Sequence, residues 1–139
     1  MTGFAECLDR LPEPLRREVA LRWEAFETAT RIAGMNLPGG AALAQLVTVW
    51  AGSEFVARAC IREPALLADL LASGDLASRY APGDYAPRLD RALAEATDED
   101  QLGVALRRFR RREMVRVAWR DLTGMAGLAE TLGDLPDLA

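Results

Sequence analysis

The chain has 139 residues, half of them hydrophobic, and a formal net charge of −4 at pH 7 from 17 basic and 21 acidic side chains. That length suits one domain with a real core, and the acidic balance gives no global pull toward nucleic acid. There is no histidine and no lysine, so every basic residue is arginine; histidine general bases, histidine metal sites, histidine-containing catalytic triads and lysine Schiff bases are thereby excluded.

Alanine and leucine are abundant while β-branched and aromatic residues are few, which favours helix. Cys7 and Cys60 have neither a metal-ligand spacing nor the density of a disulfide framework, and read as free thiols of a reducing cytosol. No stretch approaches the roughly 18 uninterrupted apolar residues of a membrane span. The N-terminus has early acidic residues and lacks the basic-then-apolar pattern of a signal peptide. The expectation is a cytoplasmic protein without a membrane partner.

In chain order, Met1–Leu11 reads as a lead-in with a helical turn around Phe4, Cys7 and Leu8. Pro12 and Pro14 mark the start of a helix from about Glu13 to Ala33. It places Leu15, Val19, Trp23, Phe26, Ala29 and Ala33 near one face, with Arg22 in the middle of that face, Leu21 off it, and Gly34 as the stop. Met35–Gly40 is a loop. In Ala41–Ala51, Leu43, Leu46, Val47 and Trp50 fall at i, i+3, i+4 and i+7, a core stripe. Ser53 is an N-cap for a helix Glu54–Arg62 expected to bury Phe55, Val56, Ala59 and Cys60. Pro64 opens Ala65–Ala72 with Leu66, Leu67, Leu70 and Leu71, and Ser73-Gly74-Asp75 ends it. Pro82-Gly83-Asp84 is a turn, and Pro87 begins a helix to about Ala96 with Leu89, Ala92, Leu93 and Ala96 on one face.

The longest element is Leu102–Leu122, with seven arginines, capped by Thr97 or Asp98 and stopped at Gly124. Asp98-Glu99-Asp100 is a dipole-matched helix start rather than a metal site. At about 100° per residue, Leu102, Leu106 and Phe109 share a face with Glu113, Arg116 and Arg120, while Met114, Val115, Ala118 and Leu122 point roughly opposite. A helix laid on nucleic acid or a membrane usually gathers its basic residues on one face. Here they surround the helix, and apolar residues on several sides imply neighbours on several sides. A buried guanidinium needs a carboxylate or carbonyl. The expectation is therefore a structural lattice of Glu113, Arg116 and Arg120, with a Glu113–Arg116 pair. The alternative is that Arg108 or Arg112 reaches a phosphate of a neighbouring site.

Leu106-Arg107-Arg108-Phe109-Arg110-Arg111-Arg112-Glu113-Met114 and Ala118-Trp119-Arg120-Asp121-Leu122 resemble a signature of the glutamine synthetase adenylyltransferase/deadenylylase family. Upstream, Ser53, Phe55, Pro64, Leu66, Leu67, Leu70 and Leu71 resemble that family's serine-led and proline-led helices. Gly127-Leu128 and Glu130-Thr131-Leu132 also fit, so the resemblance runs from about Leu43 to the end. It implies a nucleotidyltransferase that moves AMP from ATP to a tyrosine of glutamine synthetase and removes it by phosphorolysis. Mg²⁺ and ATP serve the full-length enzyme, with none expected on this segment. Glutamine synthetase and the PII signal protein are the implied partners, with no nucleic acid.

The same resemblance implies a catalytic Gly-Ser-Asp-x-Asp motif, in which paired aspartates hold Mg²⁺. Gly52-Ser53-Glu54-Phe55 lacks the second carboxylate, and Ser73-Gly74-Asp75-Leu76 has the wrong order and reads as a turn. No catalytic residue is assigned. Trp23, Trp50 and Trp119 read as core anchors rather than a base-stacking platform.

The reading is an all-α, compact bundle of about six or seven helices around a long arginine-rich central helix. Residues 1–139 form a single helical domain, the N-terminal part of a larger nucleotidyltransferase and a scaffold for its deadenylylating unit. Leu128, Leu132, Leu135 and Leu138 form a helix stripe still running at the end, interrupted by Pro136. A chain ending on Leu138-Ala139 reads as cut, against a native chain whose last short helix docks on the bundle. The rivals are a free-standing all-α interaction module without catalysis, and a nucleic-acid-binding domain using the arginine run.

Overall fold

A computed structural model describes residues 3–127 and 130–134. Its α-helices are α1 (Phe4–Asp9), α2 (Glu13–Ile32), α3 (Gly40–Gly52), α4 (Glu54–Arg62), α5 (Pro64–Ser73), α6 (Tyr85–Leu93) and α7 (Glu99–Leu122). A 3-10 turn at Asp75–Ala77 follows α5, residues 130–134 are helical, and no strand occurs among the described residues. The all-α reading is borne out. No helix is long and apolar enough to cross a membrane among the described residues.

Local chemistry explains the boundaries. Ser53 Oγ accepts from the Val56 N–H at 3.2 Å, so Ser53 caps α4 as expected. Asp98, rather than Thr97, caps α7: its Oδ1 accepts from the Gln101 N–H at 2.8 Å. Gln101 Oε1 in turn accepts from the Thr97 N–H at 2.8 Å, which fixes the entry of the chain. The Pro82-Gly83-Asp84 turn is closed by the Ala81 N–H donating to Asp84 Oδ2 at 2.6 Å.

The core is built where α2, α3, α4 and α5 meet the second half of α7. Trp23, Trp50 and Trp119 are all buried, as their reading as anchors requires. Phe4 of α1 stacks on Trp23 with centroids 4.5 Å apart, and Phe26 meets Trp50 edge-on at 5.3 Å. The lead-in is thus tied to the core by its one aromatic ring. A second, smaller cluster joins Tyr80 and Tyr85 to Val117, flanked by Phe109 and Met114. Cys7 and Cys60 are free and buried. Burial pushes the Cys60 thiol up to about 12, against a smaller opposing effect of the Trp50 indole.

Two expectations are corrected. Phe55 is 48% exposed rather than buried, because α4 turns Val56, Ala57, Ala59 and Cys60 inward and leaves Phe55 beside Arg58 on the outer stripe. The long helix is enclosed only in its second half: Glu113, Val115, Arg116, Val117, Trp119 and Arg120 are buried, whereas Leu102, Val104 and Leu106 are exposed. The C-terminal leucine stripe falls largely outside the described residues, and its one described member, Leu132, is exposed.

The contrast between the two faces of α4 and α5 can be measured. Leu70→Ala, which empties a fully buried site, is expected to lower unfolding free energy by about 2–5 kcal/mol. Phe55→Ala is expected to cost less than about 1 kcal/mol in the same urea titration. Equal losses would contradict the assignment of Phe55 to the surface.

Candidate functional site

Arg108, Arg112, Arg116 and Arg120 recur every four residues along α7. Each step of four advances the side chain by only about 40° around the helix, so the four form one diagonal ribbon. Their partners advance along the chain in the same sense, from Glu63 to Leu76, along α5 and the turn after it.

Arg108 Nε lies 3.1 Å from both oxygens of Glu63. Arg112 is more heavily engaged. Its Nε donates to Asp69 Oδ2 at 2.7 Å, Nη1 to Glu113 Oε2 at 2.6 Å, and Nη2 to Asp75 Oδ2 at 2.7 Å and Ser73 Oγ at 3.3 Å. Arg116 has no solvent exposure. Its Nε donates to the Asp75 carbonyl at 3.1 Å, Nη2 to the Ser78 carbonyl, and Nη1 faces the Tyr85 hydroxyl at 3.5 Å and Asp134 Oδ2 at 3.7 Å. Arg120 grips both oxygens of Glu130 at 3.0 and 3.2 Å and donates Nη1 to the Leu76 carbonyl at 3.0 Å.

Tyr80 completes the arrangement. The Arg116 guanidinium lies 3.3 Å from its ring centroid and that of Arg88 lies 3.9 Å from it. Two guanidinium groups cannot share one face at such range, so the ring is held between them. Burial, then the negative charge of Glu113, raises the Tyr80 phenol well above its ordinary range. Burial also raises Tyr85, with Asp134 adding to it.

The expected Glu113–Arg116 pair is corrected: Glu113 Oε2 accepts from Arg112, and its Oε1 is buried without a hydrogen bond. Arg116 is drawn instead across to the carbonyls of Asp75 and Ser78 and the face of Tyr80. Neighbours at i and i+1 usually diverge, but the long Arg112 stem curls back to its own neighbour. Sequence reasoning missed Asp75, Tyr80, Glu130 and Asp134 as partners. The i+4 recurrence of the arginines carried that signal, since a diagonal ribbon demands a row of acceptors.

Beside the ribbon lies an open cavity of about 590 Å³, lined by Arg88, Arg91, Arg108 and Arg112 together with Asp69, Asp75 and Glu113. Its acids are already committed to arginines, and no metal-holding group of three or more carboxylates or thiols exists among the described residues. Ser53 Oγ is spent on capping α4, and Glu54 on Arg22 and Arg58. These residues do not fit a magnesium–triphosphate site.

What the fold and this arrangement define is an all-α protein organised on an arginine–carboxylate ladder. The sequence profile of the family described as glutamate-ammonia ligase adenylyltransferase matches residues 43–139. A bifunctional glutamine synthetase adenylyltransferase/adenylyl-removing enzyme of Thioalkalivibrio sulfidiphilus is 48% identical over 132 residues, which is 95% of this chain and 13% of that relative. The enzyme of that name from Nitrosococcus oceani is 50% identical over 97 residues, 70% of this chain and 10% of the relative. The corresponding Pseudomonas aeruginosa enzyme is 47% identical over 91 residues, 66% of this chain and 9% of its own length. No solved structure matches the chain. The chain belongs to the glutamate-ammonia ligase adenylyltransferase family. It spans about a tenth of the length of these relatives.

The ladder has an acid limb with a definite sign. Burial alone would raise the Asp75 carboxyl, but the hydrogen bond from Arg112 and the charges of Arg88 and Arg112 hold it below its ordinary 3.8. Arg120 holds Glu130 below its ordinary 4.5, against a smaller burial effect. Both contributions to stability are complete above those ordinary values and are lost as pH falls through the lower folded-state values. Asp134 opposes them, because burial raises its carboxyl despite Arg116, so its contribution is present at low pH and lost as pH rises. Unfolding near pH 4 is therefore expected to take up fewer protons in Glu130→Gln than in the unaltered chain, measured from the pH dependence of urea-unfolding free energy. An unchanged uptake would contradict the assignment.

Proposed function

We propose that this chain is the helical N-terminal portion of a larger cytoplasmic enzyme that transfers AMP from ATP to a tyrosine of glutamine synthetase and removes it by phosphorolysis. The observation that carries this reading is the 48% identity across 95% of the chain to a relative bearing both activities in its name. In this reading Mg²⁺ and ATP are held by other parts of the enzyme, and the PII signal protein regulates it. The chain itself performs no chemical step. It is a scaffold for the deadenylylating unit.

Two features support the scaffold role over direct phosphate contact. Arg112 donates to four acceptors of its own fold, which leaves at most about one of its five N–H groups for a ligand. Hydrogen bonds to Asp75, Asp69 and Glu113 outweigh burial and hold its guanidinium firmly protonated. Arg116 and Arg120 have almost no exposed surface from which to meet a substrate.

The test is Arg112→Ala in the full-length enzyme. A scaffold predicts faster thermal inactivation, with the KM for ATP and for inorganic phosphate unchanged in the fraction still folded. It also predicts no AMP transfer to glutamine synthetase by the isolated chain with ATP and Mg²⁺. A raised KM at normal thermal stability would instead assign Arg112 to a phosphate, and turnover by the isolated chain would overturn the reading.

A further inference from the structure

The arginines of α7 do not all belong to the ladder. Arg111 is half-buried and turns into a cleft of about 430 Å³ between α4 and α7, with Glu54, Phe55, Arg58, Ala59 and Arg62. Glu54 answers Arg58 and also Arg22 at 3.3 Å, and Arg22 shares Glu18 at 2.6 Å. Arg62 and Arg111 have no hydrogen-bond or ion-pair partner among the described residues. So Arg22, Arg58, Arg62 and Arg111 meet only Glu18 and Glu54, a local excess of positive charge on a chain of net charge −4.

Phe55 lies in the same cleft, 48% exposed. It shares one stripe of α4 with Arg58 and Arg62, at i, i+3 and i+7. An exposed phenyl ring framed by guanidinium groups combines the two residue types most enriched in the buried centres of interfaces, aromatic and arginine.

We propose that this cleft docks an acidic segment of a separate protein, whose carboxylates pair with Arg62 and Arg111 while an apolar side chain covers Phe55. Charge complementarity fixes the sign of the partner. Guanidinium groups take carboxylates in bidentate fashion, and these two lose no existing partner when they do so. Arg58 and Arg62 on α4 repeat at i and i+4, about 6 Å apart, with Arg111 of α7 facing them across the cleft. Carboxylates on one face of a helix repeat at the same interval. A small phosphate ligand fits less well. The cleft is open, its charged donors are the flexible side chains of Arg58, Arg62 and Arg111, and no glycine lines it; the first turn of α4 borders it at Glu54 and Phe55, but Ser53 Oγ already takes the Val56 N–H of that turn. A free inorganic anion would also leave Phe55 unused.

The experiment is fluorescence anisotropy of the chain with a fluorescein-labelled helical peptide carrying glutamates at i and i+4 and a central leucine. The matching glutamine peptide, ATP and inorganic pyrophosphate serve as competitors. Expected are binding that weakens with added salt, a loss of about tenfold or more in Arg62→Glu/Arg111→Glu and in Phe55→Ala, and unchanged melting temperatures in both. Should the charge-reversed variant melt early, Arg62→Gln/Arg111→Gln gives the same readout. Absence of binding, equal binding of the glutamine peptide, or affinity unchanged in these variants would overturn the proposal. Displacement of the peptide by pyrophosphate or ATP at lower concentration than by free glutamate peptide would also overturn it, and would assign the cleft to a phosphate.

Discussion

Arg116 carries a permanent positive charge into a position with no solvent contact. Removing a guanidinium from water costs several kcal/mol unless its donors are met. Every element near it is arranged to meet them. The carbonyls of Asp75 and Ser78 come from the segment after α5, Tyr85 from the first turn of α6, Asp134 from beyond α7, and the Tyr80 ring covers the flat face. Three separate stretches of chain thus converge on one side chain. The remaining ladder extends the same solution along the helix in both directions.

The geometry depends on the exit from α5. Gly74 adopts φ +78°, a left-handed conformation that ends the helix and throws the chain into the 3-10 turn. That reversal presents the carbonyls of Asp75, Leu76 and Ser78 to the arginines of α7, and the Asp75 carbonyl also accepts from the Ser78 N–H at 3.3 Å within the turn. A side chain at residue 74 would meet no atom within 4 Å, so the demand for glycine is conformational and not steric crowding. Packing and polar matching are therefore linked: the leucines of α5 bury against α2 and α7 on one side, and its end supplies acceptors on the other.

Much of this was legible from residue order. Proline and serine positions marked the starts of α2, α4 and α5, and the stripe Leu43, Leu46, Val47, Trp50 named the face of α3 that is buried. The motif around Arg107–Glu113 pointed to the family that the comparisons establish. Partner choice was less legible, because it is decided across the fold. Glu113 and Arg116 satisfy the spacing of a helix pair, yet tertiary acceptors outcompete it once Asp75 and Ser78 are delivered to Arg116. Phe55 misled because hydrophobic character does not specify direction, and the inward face of α4 was already filled by Val56, Ala59 and Cys60.

The central claim is that the fold rests on complete satisfaction of Arg116. Urea unfolding of Arg116→Met and Arg116→Lys tests it most directly. Methionine retains the bulk but removes the guanidinium donors from the Asp75 and Ser78 carbonyls and the counter-charge from Asp134; lysine keeps the charge but cannot span the separated acceptors with one ammonium. Both variants are expected to lose about 3–5 kcal/mol of unfolding free energy. A methionine variant as stable as the unaltered chain would show that apolar packing alone holds α7 in place, and would contradict the account.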